Sequence, residues 1–116
     1  MPLLNIITNV PLTAENRLSV LAAASGTVSE MLGKPEKYVM VHLSDSQMLT
    51  FGGSSDPACL MQLKSLGLPE DQTKQLSSRL CDFADAHLGV SPDRTYIEFV
   101  NVPRHMWGFD RKTFQR

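Results

Sequence analysis

The chain has 116 residues, 42% of them hydrophobic, with 11 lysines and arginines against 12 aspartates and glutamates, for a formal charge of -1. That length supports one hydrophobic core and not two, so residues 1–116 are expected to form one domain. The charge balance gives no case for nucleic acid, no apolar run is long enough for a membrane span, and two cysteines without a Cys-x-x-Cys spacing exclude a disulfide framework.

In chain order, "PLLNIITNV" reads as a strand with Leu4 and Ile6 on one face and Leu3, Asn5 and Ile7 on the other. Thr13 is placed to cap a helix whose apolar stripe is Leu18, Leu21, Val28, Met31 and Leu32, with Gly33 and Pro35 as its stop. "YVMVHL" follows as a strand that turns Val39, Val41 and Leu43 to one side and Tyr38, Met40 and His42 to the other. "SDSQMLTFGGSSDP" is a turn-rich connection with a short strand expected at Met48 to Phe51. "ACLMQLKSL" is a third long strand with Cys59, Met61 and Leu63 in phase. Pro69 suits the first position of a second helix, where Glu70 and Asp71 favour the positive end of the dipole. Its stripe is Leu76, Leu80, Phe83, Ala84 and Leu88, closed by Gly89 and Pro92. "TYIEFV" is the last strand, Ile97 and Phe99 inward, and Arg104, Arg111, Lys112 and Arg116 make a basic, solvated tail. Cys59 and Cys81 are expected to be buried and inert. His42, His87 and His105 share no metal-ligand spacing, so no metal and no cofactor are expected.

The order is strand-helix-strand twice over. Both helices end in Leu-Gly, pass a proline turn and reach a strand at tyrosine: Leu32-Gly33, Pro35, Tyr38 against Leu88-Gly89, Pro92, Tyr96. Two right-handed crossovers put both helices on one side of a four-stranded mixed sheet, an α+β fold. The opposite sheet face keeps Leu3, Ile7, Tyr38, Met40, Leu60, Tyr96 and Val100 among its polar residues, too apolar a surface to stay bare. With both helices already used, a further copy of the chain is the expected cover.

The motifs "MP", "TNVP" at 8–11, "GKPEKYV" at 33–39, "FGGSSDP" at 51–57, "SLG" at 65–67 and "SPDRTYI" at 91–97 resemble the macrophage migration inhibitory factor and D-dopachrome tautomerase family of the tautomerase superfamily. Six motifs in order, nearly end to end, make the resemblance specific. It implies a homotrimer with three active sites at subunit boundaries. It also implies keto–enol tautomerisation of small aromatic α-keto acids or enols such as phenylpyruvate or a dopachrome ester.

The resemblance gives the opening proline a role. Removal of Met1 would free the Pro2 secondary amine, and a sheltered amine near the cation of Lys34 stays neutral near pH 7 and acts as a general base. On its residues alone, Pro2 reads first as a strand start whose missing N–H costs little. Lys34 is implied to hold the substrate carboxylate or polarise its carbonyl oxygen; on the residues alone it could be a solvated cation favoured by the helix dipole. The backbone N–H of Leu66 is implied as a second donor, and Tyr38, Tyr96, Trp107, Phe109 and Phe114 as the pocket wall, shared with the subunit seam. Trp107 stands where the family usually has a smaller aliphatic side chain. Glu98 stands where the best-known cytokine member has asparagine, at the substrate end remote from the amine, so it is expected to narrow substrate choice. The thiol–disulfide activity attributed to parts of the family needs a Cys-x-x-Cys, and Ala58-Cys59-Leu60-Met61 lacks it. The competing class is a cytokine-like signalling protein with a vestigial pocket and a protein receptor. The compartment expected is the cytoplasm, with release from the cell without a signal peptide as the family's other route.

Overall fold

Four long strands and two helices account for most of the chain, and the computed structural model describes residues 1–116. Strand β1 is Pro2–Thr8, helix α1 Ala14–Leu32, strand β2 Met40–Ser44, strand β3 Cys59–Leu66, helix α2 Thr73–Leu88 and strand β4 Thr95–Val102. The sheet order is β2-β1-β3-β4, with β1 parallel to β2, β3 parallel to β4, and the two halves joined antiparallel through β1 and β3. This is the doubled strand-helix-strand unit expected from the sequence.

Period-two patterning decides which face the helices cover. Leu4, Ile6, Met61 and Leu63 are fully buried, while Leu3, Asn5, Ile7, Leu60, Gln62 and Lys64 on the other face are not. Helix α2 meets that core with Leu76, Leu80, Phe83, Ala84 and Leu88, all buried, as its stripe predicts. Helix α1 meets expectation in its C-terminal half, where Val28 is buried and Met31 and Leu32 pack on the core, and differs in its N-terminal half. It buries Val20, Ala24 and Val28, an i, i+4, i+8 stripe, and Leu18 is 70% exposed. Two positions before Val20 means about 200° around the helix, the opposite side. The apolar run at 20–24 offers two near-equivalent stripes, and the one centred on the small Ala24 is the one buried.

The helix ends follow local chemistry. Thr13 Oγ1 accepts from the Asn16 N–H at 3.1 Å, capping α1. Gly33 and Gly89 close the two helices at φ 62° and 68°, a left-handed conformation that other residues adopt with strain. Asp45, just after β2, accepts from the Leu12 N–H and from Arg17 Nε at 2.8 Å, tying the start of α1 to the sheet. The Arg17 guanidinium holds the Asp45 carboxyl well below the usual carboxylate range. Pro69 does not open α2; it precedes a 3-10 turn at Glu70–Gln72, and α2 begins at Thr73.

One further expectation is corrected and a second gains detail. Met48 to Phe51 is not a strand; Phe51 makes one isolated bridge to Ser54. A strand needs a partner for its backbone groups, and this chain offers none to that segment. Asn9 and Arg94 hold the loop instead. Arg94 donates to the carbonyls of Phe51, Ser54, Asp56 and Pro57, and Asn9 reaches those of Leu49, Ser55 and Asp56 while accepting from the Ala58 N–H. The basic tail, second, is ordered as a hairpin of Gly108–Phe109 (β5) with Lys112–Thr113 (β6). Its two-residue turn puts Asp110 and Arg111 at φ 51° and 69°, the mirror-type turn that matches strand twist. Arg104, Arg111, Lys112 and Arg116 are all exposed, as a solvated tail requires, and Arg104 Nε donates to the Phe114 carbonyl at 2.8 Å and fastens the hairpin.

Candidate active site

The first strand brings Pro2 to one end of the sheet, level with Ser65 of β3, its side chain fully buried. Leu66 is the next residue along β3, buried beside that pairing. Beyond the Gly33 turn, the Lys34 N–H donates to the Ser29 carbonyl at 3.1 Å, and Ser29 Oγ donates to the Lys34 carbonyl at 2.6 Å. This fixes the Lys34 backbone next to the end of α1. The terminal amine, carried here by Met1, is lowered from its ordinary 8.0, first by burial and then by the charge of Lys34.

An apolar cleft of about 240 Å³ opens at this end, lined by Met1, Pro2, Tyr38, Trp107 and Phe109 among others. Tyr38 does not lie in β2. It ends a 3-10 turn at Glu36–Tyr38, started by Pro35, and its ring meets Phe109 edge-on at 6.2 Å. Phe109 stacks in turn on Phe114 at 6.0 Å, so Phe114 backs the wall without lining the cleft. Lys37 also lines the cleft, its ammonium 5.0 Å from the Tyr38 ring centre. No sequence signal singled out Lys37; the turn that brings it there does.

Tyr96 and Glu98 are not part of this grouping. Tyr96 is in register with Leu60, which faces Ile7, so it lies five residues along β1 from Pro2 and two strands across. At about 3.3 Å per residue and 4.8 Å per strand, that is roughly 20 Å. Tyr96 instead packs on Phe51, ring centres 4.8 Å apart, in a second apolar cavity of about 230 Å³. Glu98 is exposed on the uncovered face, its carboxylate accepting from Gln62 Nε2 at 2.8 Å. The chain thus carries its expected site residues as two groups at separate places on the sheet.

Of the two cysteines, Cys59 lines the cavity that holds Tyr96, and Cys81 on α2 lines neither cavity. Burial, with the neighbouring Cys81, pushes the Cys59 thiol up to about 12; Cys81 is only half-buried, against expectation, and is raised by the same main cause.

Residues 1–115 match the family model "Macrophage migration inhibitory factor (MIF)". The chain belongs to that family. It is 38% identical to a macrophage migration inhibitory factor homolog of Trichuris trichiura, over 98% of this chain and 100% of the relative. Among solved structures it is similar to the homologue from Prochlorococcus marinus, with a TM-score of 0.90, 39% identity, and coverage of 97% of this chain and 99% of that one. The factor from Trichinella spiralis matches at a TM-score of 0.87 and 33% identity, over 96% and 98%. The family lies in the tautomerase superfamily, and the α+β sheet with two helices is its fold.

Proposed function

We propose that this member of the family is a keto–enol tautomerase that uses the Pro2 amine, freed by removal of Met1, as its general base, and that it works as a homotrimer. The observation that carries this reading is the buried Pro2 ring in the wall of an aromatic cleft, with the Met1 amine next to it lowered by burial and by the charge of Lys34. Removing Met1 moves the amine one residue inward, onto a ring that is already buried. Burial and a neighbouring cation both disfavour the ammonium form, which leaves a neutral base near pH 7. Pro2 takes a proton from the carbon beside the substrate carbonyl and delivers it to the enolate oxygen, which gives the enol; the same steps in reverse return enol to keto. Lys34 and the Leu66 N–H meet the carboxylate or the oxygen on which charge develops.

The trimer explains the two separated groups. Tyr96 and Glu98, out of reach of their own Pro2, complete the cleft of a neighbouring copy. Only 21 of 116 residues are buried in the single chain, and Met40 and Tyr96 on the uncovered face are each 66% exposed. Apolar surface of that kind on a sheet calls for a partner. The radius of gyration, 14.5 Å, exceeds the roughly 13 Å expected of a compact chain this long, as arms that reach a neighbour require. In that setting Glu98 disfavours acidic substrates at the far end of the site.

The competing class is the signalling factor for which the relatives are named, whose pocket would be vestigial. Turnover decides between them. With Met1 removal verified by intact mass, phenylpyruvate should be tautomerised, and Pro2→Gly should lower kcat/KM by about 10²–10⁴-fold. Equal activity in Pro2→Gly, or in chain that retains Met1, overturns the reading.

A further inference from the structure

One row of side chains crosses the whole uncovered face at a single register. His42 on β2 pairs with Asn5 on β1, Asn5 with Gln62 on β3, and Gln62 with Glu98 on β4. The side chains are joined end to end: His42 Nδ1 to Asn5 Oδ1 at 3.0 Å, Asn5 Nδ2 to Gln62 Oε1 at 2.9 Å, and Gln62 Nε2 to Glu98 Oε1 at 2.8 Å. The rows on either side, Met40, Leu3, Lys64, Val100 and Ser44, Ile7, Leu60, Tyr96, contain no such chain. Lys64 is the only other charged side chain on this face of the four strands, one row away beside Val100, and Tyr96 is the other titratable neighbour.

The direction of the row is set from one end. A carboxylate only accepts, whereas a primary amide donates from nitrogen and accepts at oxygen. Glu98 therefore requires the NH₂ of Gln62, which turns the Gln62 oxygen toward Asn5 and draws the Asn5 NH₂ to it. Asn5 is left presenting oxygen to His42, and the nitrogen facing that oxygen must carry a proton. Each link leaves the next one orientation, and hydrogen bonds so aligned polarise one another.

We propose that this row is a directional relay in which Asn5 and Gln62 are positioning residues. They pin the Glu98 carboxylate, one oxygen committed and the other free to face substrate, and they hold His42 at the opposite sheet edge in its Nδ1–H tautomer with Nε2 unprotonated. The substrate half of this proposal rests on the tautomerase reading; the His42 half does not.

Long-range ¹H–¹⁵N NMR on the processed, assembled protein, at a pH where the imidazole is neutral, reads the tautomer directly. The expected result is protonated Nδ1 and bare Nε2 in the native chain. Gln62→Leu cuts the relay, and Glu98→Gln replaces an obligate acceptor with a group that also donates; both should move His42 toward the Nε2–H form. Glu98→Gln, at an exposed position, keeps the test decisive if Gln62→Leu fails to fold. Native His42 in the Nε2–H form, or a tautomer indifferent to the substitutions, overturns the relay. For the substrate half, the ratio of kcat/KM for a phenylpyruvate carrying a para-carboxylate on its ring to that for phenylpyruvate itself should rise about fivefold in Glu98→Gln, as removal of a like charge a few ångströms from the ring end predicts. Gln62→Leu should shift it the same way by less, with the change in KM. An unchanged ratio overturns the positioning role. A native protein without turnover contradicts the tautomerase reading and removes the substrate half, while the NMR result still decides the relay.

Discussion

The two faces of one sheet do different work. The helix-covered face is closed within the chain: Leu4, Ile6, Met61 and Leu63 meet Val20, Ala24, Val28 and the stripe of α2. The other face keeps Leu3, Ile7, Leu60 and Tyr96 around a polar row and has no cover of its own. One face therefore holds the subunit fold, and the other is the surface on which the proposed assembly and site completion would depend. Stability and assembly should be separable by mutation.

The largest separation is expected at Leu60→Asp. A charge placed on the uncovered face between the apolar side chains of Ile7 and Tyr96 should convert the trimer to monomer in sedimentation, with far-UV circular dichroism retained. An intact trimer would mean that this face is not the interface. Leu80→Ala is the counterpart on the covered face. Leu80 is fully buried, so its truncation should cost about 2–5 kcal/mol in subunit stability by denaturant unfolding. A smaller loss would show that the α2 contact is looser than its burial implies. Thr13→Ala sharpens the comparison at its margin. It removes one cap from α1 and should cost about 1 kcal/mol without moving the oligomeric state.

The covered face was also the more legible in sequence, for a physical reason. Helix α2 alternates apolar and polar residues at a clean period, so all five of its core residues could be read before the fold. Helix α1 runs apolar from Val20 to Ala24, which blurs the phase and made exposed Leu18 look like core. Gly33 and Gly89 marked both helix ends because a left-handed terminal residue favours glycine. The C-terminal hairpin gave no such mark, since its turn uses Asp110 and Arg111 where glycine or asparagine would have signalled it. Strand register is invisible to period alone. Asn5, His42, Gln62 and Glu98 could be assigned to one face but not to one row, and Lys37 could not be placed at the cleft. At the site, residue patterns offered Pro2 only as a strand start; its catalytic expectation came from the family's motifs, and the structure adds the burial of its ring and, next to it, a Met1 amine lowered by burial and by Lys34's charge.

The central claim is that the terminal nitrogen is sheltered enough to be a base, and its own titration tests that most directly. In processed protein labelled with ¹⁵N proline, the Pro2 nitrogen should lose its proton below pH 8.0, as the Met1 amine one residue further out is already lowered by burial first and by the charge of Lys34 second. Activity should rise with pH through that same point, and Lys34→Ala should move both upward. A nitrogen that stays protonated above pH 8.0, or that titrates identically in Lys34→Ala, would contradict the account.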